Sequence, residues 1–206
     1  GPAPSGAPEA PLLAAIEAHD PGLPRTPGLP DTLFQSDGQI TKAPVRALTL
    51  AALAPRAGDH LWDLGAGSGS VSVEWCLAGG SASAVEARAD RLPNIRANAE
   101  NFGLTHRLDA HHGDSAERIA DLPRPDAVFI GGGLTPDLLT RLCAQLPEGT
   151  RLVANAVTLE TEATLYAAHA THGGGLMRID LAQSGRLGAF RDWQAARPVV
   201  QWSVTR

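Results

Sequence analysis

The chain has 206 residues, 43% of them hydrophobic, which suits one α/β domain with an appendage and leaves little room for two domains. The net charge of −5 leaves no basic excess to neutralise phosphates, so the composition disfavours nucleic-acid binding and favours a small-molecule ligand. There is no apolar run of the ~20 residues that a membrane span needs and no signal-peptide pattern. Cys76 and Cys143 lie in apolar, helix-like stretches that favour buried free thiols, so we expect a soluble, cytoplasmic protein.

The N-terminal stretch is rich in Pro, Gly and Ala and shows no sustained period, apart from one short helix-like run, Leu12 to His19. We interpret residues 1–28 as a linker from a missing upstream domain and residues 29–206 as one folded domain. The first regular pattern is a helix beginning at Thr41, with Thr41 as its cap, Pro44 in the first turn, and Pro55 and Gly58 ending it.

Strand-like and helix-like segments then alternate. The predicted strands are His60 to Leu64, Ser83 to Glu86, Leu108 to His111, Asp126 to Ile130 and Arg151 to Ala154. The predicted helices are Ser70 to Ala78, Ala89 to Phe102, Ser115 to Asp121, Pro136 to Leu146 and Leu159 to His172. This βαβ alternation predicts a Rossmann-like α/β fold, a mostly parallel sheet with helices on both faces.

The C-terminal part predicts an antiparallel edge to this sheet. Leu176 to Gln183 and Val199 to Thr205 both alternate, and they are close enough in sequence to pair. Between them, Ser184 to Arg197 is predicted to be an irregular loop.

A glycine-rich loop follows the first predicted strand and leads into a helix, which is a nucleotide-binding layout. The run is Asp63-Leu64-Gly65-Ala66-Gly67-Ser68-Gly69-Ser70. Gly65 and Gly67 allow a sharp bend and close backbone approach, and the helix that follows directs free N–H groups at a ligand. The spacing departs from the dinucleotide pattern G-x-G-x-x-G, which would need a glycine at Ser70.

Two acidic residues narrow the choice of ligand. Glu86 ends the next strand about 20 residues on, where a ribose-binding carboxylate is expected. Asp63 would attract an amine or a sulfonium and repel a pyrophosphate. The pattern therefore favours S-adenosylmethionine, with S-adenosylhomocysteine as its product, over NAD.

Two further loops follow predicted strands. Gly113-Asp114-Ser115-Ala116 follows the third strand, where Asp114 or Ser115 would cap the next helix, meet an adenine amino group, or do both. Gly131-Gly132-Gly133 follows the fourth strand, at the edge where α/β sheets place ligands, and it serves either close approach or plain flexibility.

An ordered set of motifs carries a family resemblance. The set combines the glycine loop with Leu29-Pro30-Asp31, Ile40-Thr41-Lys42, Phe129-Ile130-Gly131-Gly132-Gly133 and Asn155-Ala156-Val157. From about Gly28 to Arg206 the chain resembles the C-terminal domain of the precorrin-6Y C(5,15)-methyltransferases (decarboxylating) of cobalamin biosynthesis. One departure is Gly133, where a serine would be expected.

The resemblance implies a class I S-adenosylmethionine-dependent methyltransferase that methylates C15 of a tetrapyrrole (precorrin) and removes carbon dioxide from its C12 acetate. An upstream domain would methylate C5, and a homotetramer is implied. The resemblance places Thr41 and the Gly65-Ala66-Gly67 loop at the methionine part of the cofactor, Glu86 at the ribose, and Asp114, Ser115 and Ala116 at the adenine. Asp63, Ser68 and Gly69 are the other predicted cofactor-binding residues. Gly131, Gly132 and Asn155 would line the substrate side.

A precorrin carries many carboxylates, so we also consider the cations. The candidates are Lys42, Arg46, Arg88, Arg178, Arg186, Arg191 and Arg197, with Lys42 and Arg186 preferred. Phe190 and Trp193 either stack on the macrocycle or anchor their loop.

Several other functions are less well supported. His111 and His112 end a strand, but no metal-ligand spacing and no G-x-S-x-G frame is present, so we predict neither a metal site nor a serine nucleophile. The alternatives left open are an NAD-dependent oxidoreductase, a methyltransferase acting on another small molecule or on RNA, and a cofactor-binding scaffold domain.

Overall fold

A computed structural model describes residues 22–206 of the chain. The predicted run Leu12 to His19 and most of the predicted linker lie outside these residues. Within this range no helix is long and apolar enough to cross a membrane.

Among residues 22–206, nine strands and six α-helices follow one another in the order that the sequence predicted up to the last helix. The strands are β1 (His60–Leu64), β2 (Ser81–Glu86), β3 (Leu108–His112), β4 (Ala127–Ile130), β5 (Arg151–Ala156), β6 (Gly175–Ile179), β7 (Ala182–Leu187), β8 (Phe190–Ala195) and β9 (Val199–Thr205). The helices are α1 (Ala43–Leu53), α2 (Ser70–Leu77), α3 (Leu92–Asn101), α4 (Ser115–Arg118), α5 (Pro136–Gln145) and α6 (Leu159–His172). Short 3₁₀ turns lie at Asp31–Leu33 and Ala89–Arg91.

Seven of the strands form one sheet in the order β3-β2-β1-β4-β5-β9-β6. The first five are parallel, and β9 pairs antiparallel with both β5 and β6. The predicted parallel sheet with an antiparallel C-terminal edge is therefore confirmed. Because β6 is antiparallel to β9, it runs parallel to β5, and its carboxyl end lies at the same edge as those of β1 and β4.

Helices cover both faces of this sheet, and each interface has its own apolar core. On one face, side chains of α1, α2 and α3 pack on the sheet around Leu53, Trp75 and Ile95. On the other face, α5 and α6 pack around Leu142, Leu165 and Trp202. Strands buried on both faces read as continuous apolar runs, which explains why β1, β4 and β5 were recognisable from sequence.

The structure corrects the C-terminal prediction. The predicted strand Leu176 to Gln183 is two strands, because β6 ends at Ile179 and β7 begins at Ala182. The predicted irregular loop Ser184 to Arg197 is wrong: most of it pairs as the β7–β8 hairpin, closed by a two-residue turn with Gly188 at φ +60°. This hairpin is exposed on both faces, so no buried side alternates with a polar one to reveal it.

The predicted cap of the first helix is also wrong. Helix α1 begins at Ala43, its N-cap is Lys42, and no side chain of the cap residue bonds its first turn. Asp31, twelve residues before the helix in the chain, caps its first turn instead, since its Oδ1 accepts the Ala43 amide at 3.0 Å. The prediction of Pro44 in the first turn is confirmed.

Candidate active site

The carboxyl ends of β1, β2 and β4 bring the predicted loops together at one edge of the sheet. The amides of Gly65 and Ala66 both donate to the Val85 carbonyl, at 2.9 and 3.0 Å, and the Gly131 amide donates to Leu64 at 2.9 Å. These bonds continue the pairing beyond the strand ends and hold the glycine loop between its two neighbours. The location agrees with the rule that open α/β sheets bind ligands outside the carboxyl ends of their strands.

The glycines at this edge allow two backbones to touch. Gly65 has φ +71°, and a Cβ there would lie 2.8 Å from both the nitrogen and the carbonyl carbon of Gly132, so no other residue fits without moving the backbone. Gly67 has φ +60°, and a Cβ on it would meet only the Gln39 carbonyl oxygen, at 3.8 Å. This contact requires the glycine at position 65, whereas a Cβ on Gly132 would lie 3.9 Å from the Gly65 carbonyl oxygen, so close approach of a ligand to the 131–133 glycines stays a prediction.

Glu86 ends β2 with its carboxylate almost buried beside the loop. Its Oε2 accepts the Gly67 amide at 2.8 Å, and its Oε1 accepts the Arg88 amide at 2.9 Å. A carboxylate oxygen accepts more than one hydrogen bond, so both atoms keep acceptor capacity for a ligand hydroxyl. The predicted ribose-binding residue therefore lies against the glycine loop.

Asp63 is a carboxyl group inside the core, 1% exposed. Its Oδ2 accepts the Ser72 hydroxyl at 2.6 Å, while Oδ1 has no hydrogen-bond partner among the described residues. Burial raises the pKa of this carboxyl to about 6, and the nearby Glu86 charge acts in the same direction. An incompletely satisfied carboxylate at this place favours a cationic ligand.

Ser68 and Gly69 complete the loop. The Ser68 hydroxyl is buried and has no partner within the part of the chain that the structure describes. Gly69 is the N-cap of α2 at φ +72°, and a Cβ there would press on Ile95 at 3.0 Å. Both residues are therefore part of the turn, and Ser68 adds a second unsatisfied oxygen.

The loop after β3 lies beside Glu86, because the Gly113 amide donates to the Glu86 carbonyl at 3.1 Å. Asp114 caps α4, its Oδ1 accepting the Ala116 amide at 2.8 Å. The capping role left open by the sequence is therefore confirmed, while Ser115 and Ala116 form the half-buried first turn.

The residues predicted for the substrate side separate into two groups. Gly131 and Gly132 lie at the loop edge, and Lys42 is 59% exposed with Asp31 at 3.6 Å. Asn155, at the end of β5, uses its amide inside the protein: it donates to Thr49 at 2.9 Å and accepts from Gln201 at 2.9 Å.

The structure changes the ranking of the candidate cations. Arg46 is wrong as a substrate ligand, because its guanidinium is fully buried and bonded to Glu74 at 2.6 Å. Arg88 and Arg178 already pair with acids two residues on, Asp90 and Asp180. Arg186 and Arg191 lie opposite each other on the β7–β8 hairpin, and Arg197 is exposed next to it.

The hairpin leaves the sheet at the ligand edge. Ile179 at the end of β6 and Val199 at the start of β9 pack against Val45 in the first turn of α1. The base of the hairpin therefore lies next to Thr41 and Lys42, which precede that turn. Arg186 lies near the other end of the hairpin, one pair before the turn.

Sequence reasoning missed the ion pair that holds the segment from Gly28 to Thr41 in place beside the glycine loop. Arg46 donates to the carbonyl oxygens of Thr41 and Leu29, and Glu74 accepts the amides of Gly28 and Leu29 at 2.6 and 2.9 Å. The only sequence signal was an arginine and a glutamate on the buried faces of two helices.

His111 is half-buried on β3, and no group of three potential metal ligands occurs among residues 22–206.

Comparison with known proteins gives a consistent set of relatives. The model of a family described as "Precorrin methyltransferase domain" matches residues 32–206. A Sinorhizobium protein named precorrin-6Y C(5,15)-methyltransferase [decarboxylating] is 48% identical over 201 residues, covering 94% of this chain and 48% of that protein. A probable cobalt-precorrin-6B C(15)-methyltransferase (decarboxylating) from Pyrobaculum calidifontis is 36% identical, covering 84% of this chain and 93% of that protein.

Among solved structures, the C-terminal domain of precorrin-6Y C5,15-methyltransferase from Rhodobacter capsulatus superposes with a TM-score of 0.87. It is 58% identical, and the match covers 89% of this chain and all of that domain. The fold is that of the class I S-adenosylmethionine-dependent methyltransferases.

Proposed function

The chain belongs to the precorrin methyltransferase domain family. We propose that it methylates C15 of a precorrin with S-adenosylmethionine as the methyl donor and removes carbon dioxide from the C12 acetate, in cobalamin biosynthesis. The observation that carries the proposal is the glycine loop held between Gly132 and the buried carboxylate of Glu86. The names of the relatives supply the substrate class.

The domain organisation is part of this proposal. The chain spans about half the length of the precorrin-6Y relatives that it matches. We propose that residues 29–206 form the methyltransferase domain and that residues 1–28 link it to an upstream domain that methylates C5. The Pyrobaculum relative supports this division, since the match covers 93% of a protein named for C(15) methylation with decarboxylation and not for C5 methylation.

The residues present fit the proposed cofactor. An ammonium or sulfonium group suits a buried carboxyl with one unsatisfied oxygen, Asp63, and a ribose suits the acceptor capacity of Glu86. The side of Gly67 that a Cβ would occupy is open, so a ligand can approach its backbone.

We assign the parts of the cofactor accordingly. Thr41, Asp63 and the loop residues Gly65, Ala66, Gly67, Ser68 and Gly69 would hold the methionine part. Glu86 would hold the ribose. Asp114, Ser115 and Ala116 would hold the adenine, with Asp114 also capping α4.

The chemistry needs positioning more than a strong base. When bound, the cofactor supplies an electrophilic methyl group on sulfur. The task of the protein is to hold C15 in line with that group at about 3 Å, which can provide much of the rate acceleration. Loss of carbon dioxide breaks the bond between the carboxyl carbon and the acetate methylene. The bonding electron pair delocalises into the conjugated ring, and a proton later neutralises the resulting negative charge.

Substrate carboxylates would be met by cations at the same edge. Lys42 and Arg186 are our candidates, since Lys42 precedes α1 and Arg186 extends from the neighbouring hairpin. Gly131, Gly132 and Asn155 would line this side. The amide bonds of Asn155 to Thr49 and Gln201 support a role in shaping the end of β5.

We also propose a homotetramer in the cytoplasm. Leu187 and Phe190 pair across one face of the hairpin and Trp193 lies on the other; they are 61%, 78% and 72% exposed, so both faces offer apolar side chains for contact with another copy. The buried free thiols Cys76 and Cys143 suit a reducing compartment. Sedimentation velocity tests the assembly: a monomer would contradict it, and Trp193→Ser should shift a tetramer toward smaller species.

Calorimetric titration with S-adenosylhomocysteine, with NAD as the control, tests the cofactor. We expect binding of the first alone. Binding of NAD alone would favour an oxidoreductase, and binding of neither would favour a scaffold domain. If S-adenosylhomocysteine binds but mass spectrometry detects no methylated, decarboxylated precorrin, a methyltransferase with another substrate becomes the better hypothesis.

A variant tests the Glu86 carboxylate as a whole, because the NH2 group that replaces one oxygen also removes the acceptor of one loop amide. Glu86→Gln keeps one acceptor oxygen but removes the charge, and we expect it to bind S-adenosylhomocysteine at least about tenfold more weakly, since a hydrogen bond to a charged group contributes ~1.5–3 kcal/mol. Glu100→Gln, on the exposed side of α3, is the matched control. Equal affinity of the two variants would refute the ribose assignment.

A further inference from the structure

A largely exposed segment lies beside the glycine loop. None of its side chains that precede Thr41 has been given a role in binding a ligand. We define residues 35–42 as the strap. The carbonyl oxygen of Gln39 in the strap lies 3.8 Å from the position that a Cβ on Gly67 would take. The strap therefore borders the backbone that the proposed cofactor must approach.

One end of the strap is tied to the glycine loop by a buried amide. Asn98 of α3 is fully buried, its Oδ1 accepts the Gln35 amide at 2.8 Å, and its Nδ2 donates to the Gln35 carbonyl at 2.9 Å. The same Nδ2 also donates to the Ser68 carbonyl at 2.8 Å. Asn98 thus links the strap and the loop through one side chain.

The middle of the strap is tied to the connection that follows Glu86. Arg91 donates from Nε to Asp37 and from Nη2 to the side-chain oxygen of Gln39, both at 2.9 Å. Asp37 also accepts the Gln39 amide at 3.1 Å. This amide, and then Arg91, hold the pKa of Asp37 below its usual value, so the ion pair persists at neutral pH.

Core packing does not require the contacts of Arg91 with the strap. Residues 35–39 are all exposed, and the apolar anchors of the segment, Phe34 and Ile40, lie on either side of them. Arg91 is only five residues after Glu86, so the carboxylate and the strap are held by the same short connection. A shift of the strap would therefore act on the ligand edge.

We propose that Arg91 and Asn98 are positioning residues for the cofactor, holding the strap against the glycine loop so that the edge is preformed before the ligand binds. This inference rests on the proposed use of S-adenosylmethionine. Preforming a site removes the ordering cost that binding would otherwise meet. Neither residue needs to touch the ligand.

The test uses Arg91→Met, which keeps an apolar stem and removes both contacts to the strap. We expect its affinity for S-adenosylhomocysteine to fall about fivefold, while its Tm changes by less than about 3 °C. Arg91→Lys should recover most of the affinity by keeping the ion pair with Asp37. Arg96→Met is the matched control, the same change at an exposed position of α3, and should bind like the wild type.

Asp37→Asn adds a double-mutant cycle. Because the two side chains act through one contact, Arg91→Met combined with Asp37→Asn should bind little worse than Arg91→Met alone. Hydrogen exchange of the strap amides should rise in both single variants. Wild-type binding by Arg91→Met, or loss of affinity equal to that of Arg96→Met, would overturn the inference. Failure of the wild type itself to bind would overturn the proposed cofactor, and this inference with it.

Discussion

Replacing Asp63 with Asn removes a buried carboxyl whose ionisation the fold opposes. The side chain is 1% exposed, and only one of its oxygens has a partner among the described residues, the Ser72 hydroxyl at 2.6 Å. Asn keeps an oxygen to accept that hydroxyl. The variant therefore changes mainly the charge.

The size of the effect follows from the pKa. Burial raises the pKa of Asp63 from 3.8 to about 6. Below pH 3.8 the carboxyl is protonated in both folded and unfolded chains and contributes no pH dependence. Between the two values the unfolded chain has released a proton that the folded chain still binds, so stability falls as the pH rises. A difference of about 2.2, at about 1.36 kcal/mol per pH unit, makes the loss about 3 kcal/mol.

Urea denaturation followed by tryptophan fluorescence, at pH values from 3.5 to 7.5, measures this effect. Trp75 and Trp202 are fully buried and report on both faces of the sheet. The free energy of unfolding of Asp63→Asn minus that of the wild type should rise by about 3 kcal/mol between pH 3.5 and 7.5. Titrating groups that do not interact with Asp63 are common to both proteins and cancel in this difference.

Asp109→Asn, at an exposed position of β3, is the control and should differ from the wild type by less than about 0.5 kcal/mol at every pH. A difference between Asp63→Asn and the wild type that does not change with pH would refute the assignment of the raised pKa to this carboxyl. If Asp63 also meets the cationic part of the cofactor, the stabilised variant should bind S-adenosylhomocysteine more weakly.

Two further predictions concern the backbone and the buried ion pair. Gly65→Ala should lower the free energy of unfolding by about 2–4 kcal/mol, because its Cβ would clash with Gly132 and the residue would be strained at a positive φ. Gly103→Ala, at φ +67° with open space around the Cβ, is the control and should cost only about 1 kcal/mol. Equal costs in urea denaturation would show that the Gly132 backbone moves to accommodate the Cβ. Arg46→Met should cost about 3–5 kcal/mol by leaving the buried charge of Glu74 without its cation. Adding Glu74→Gln, which removes that charge and keeps an oxygen for one of the two amides that Glu74 accepts, should recover part of that loss. A double variant less stable than Arg46→Met would contradict this.

The glycine loop and its acids were predictable because their signals are local. His60 to Leu64 is a short apolar run ending in glycines, and Glu86 ends the next such run at the spacing that parallel strands require. A strand buried on both faces needs apolar residues wherever it lies in the sheet. The sequence therefore determined the parallel sheet, the loop at its edge and the position of Glu86.

Tertiary structure alone decided how distant segments complete that edge. Asp31 caps a helix that begins twelve residues later, Asn98 bonds a carbonyl thirty residues away, and Arg46, which reads as a surface cation, is buried against Glu74. None of these pairings produces a periodic pattern in the sequence, because each depends on which segments of the chain come together after folding. The β7–β8 hairpin escaped prediction for the related reason that both of its faces are exposed. The hydrophobic pattern of one element indicates which of its faces is buried. Which polar groups form hydrogen bonds between elements is determined only by the tertiary structure.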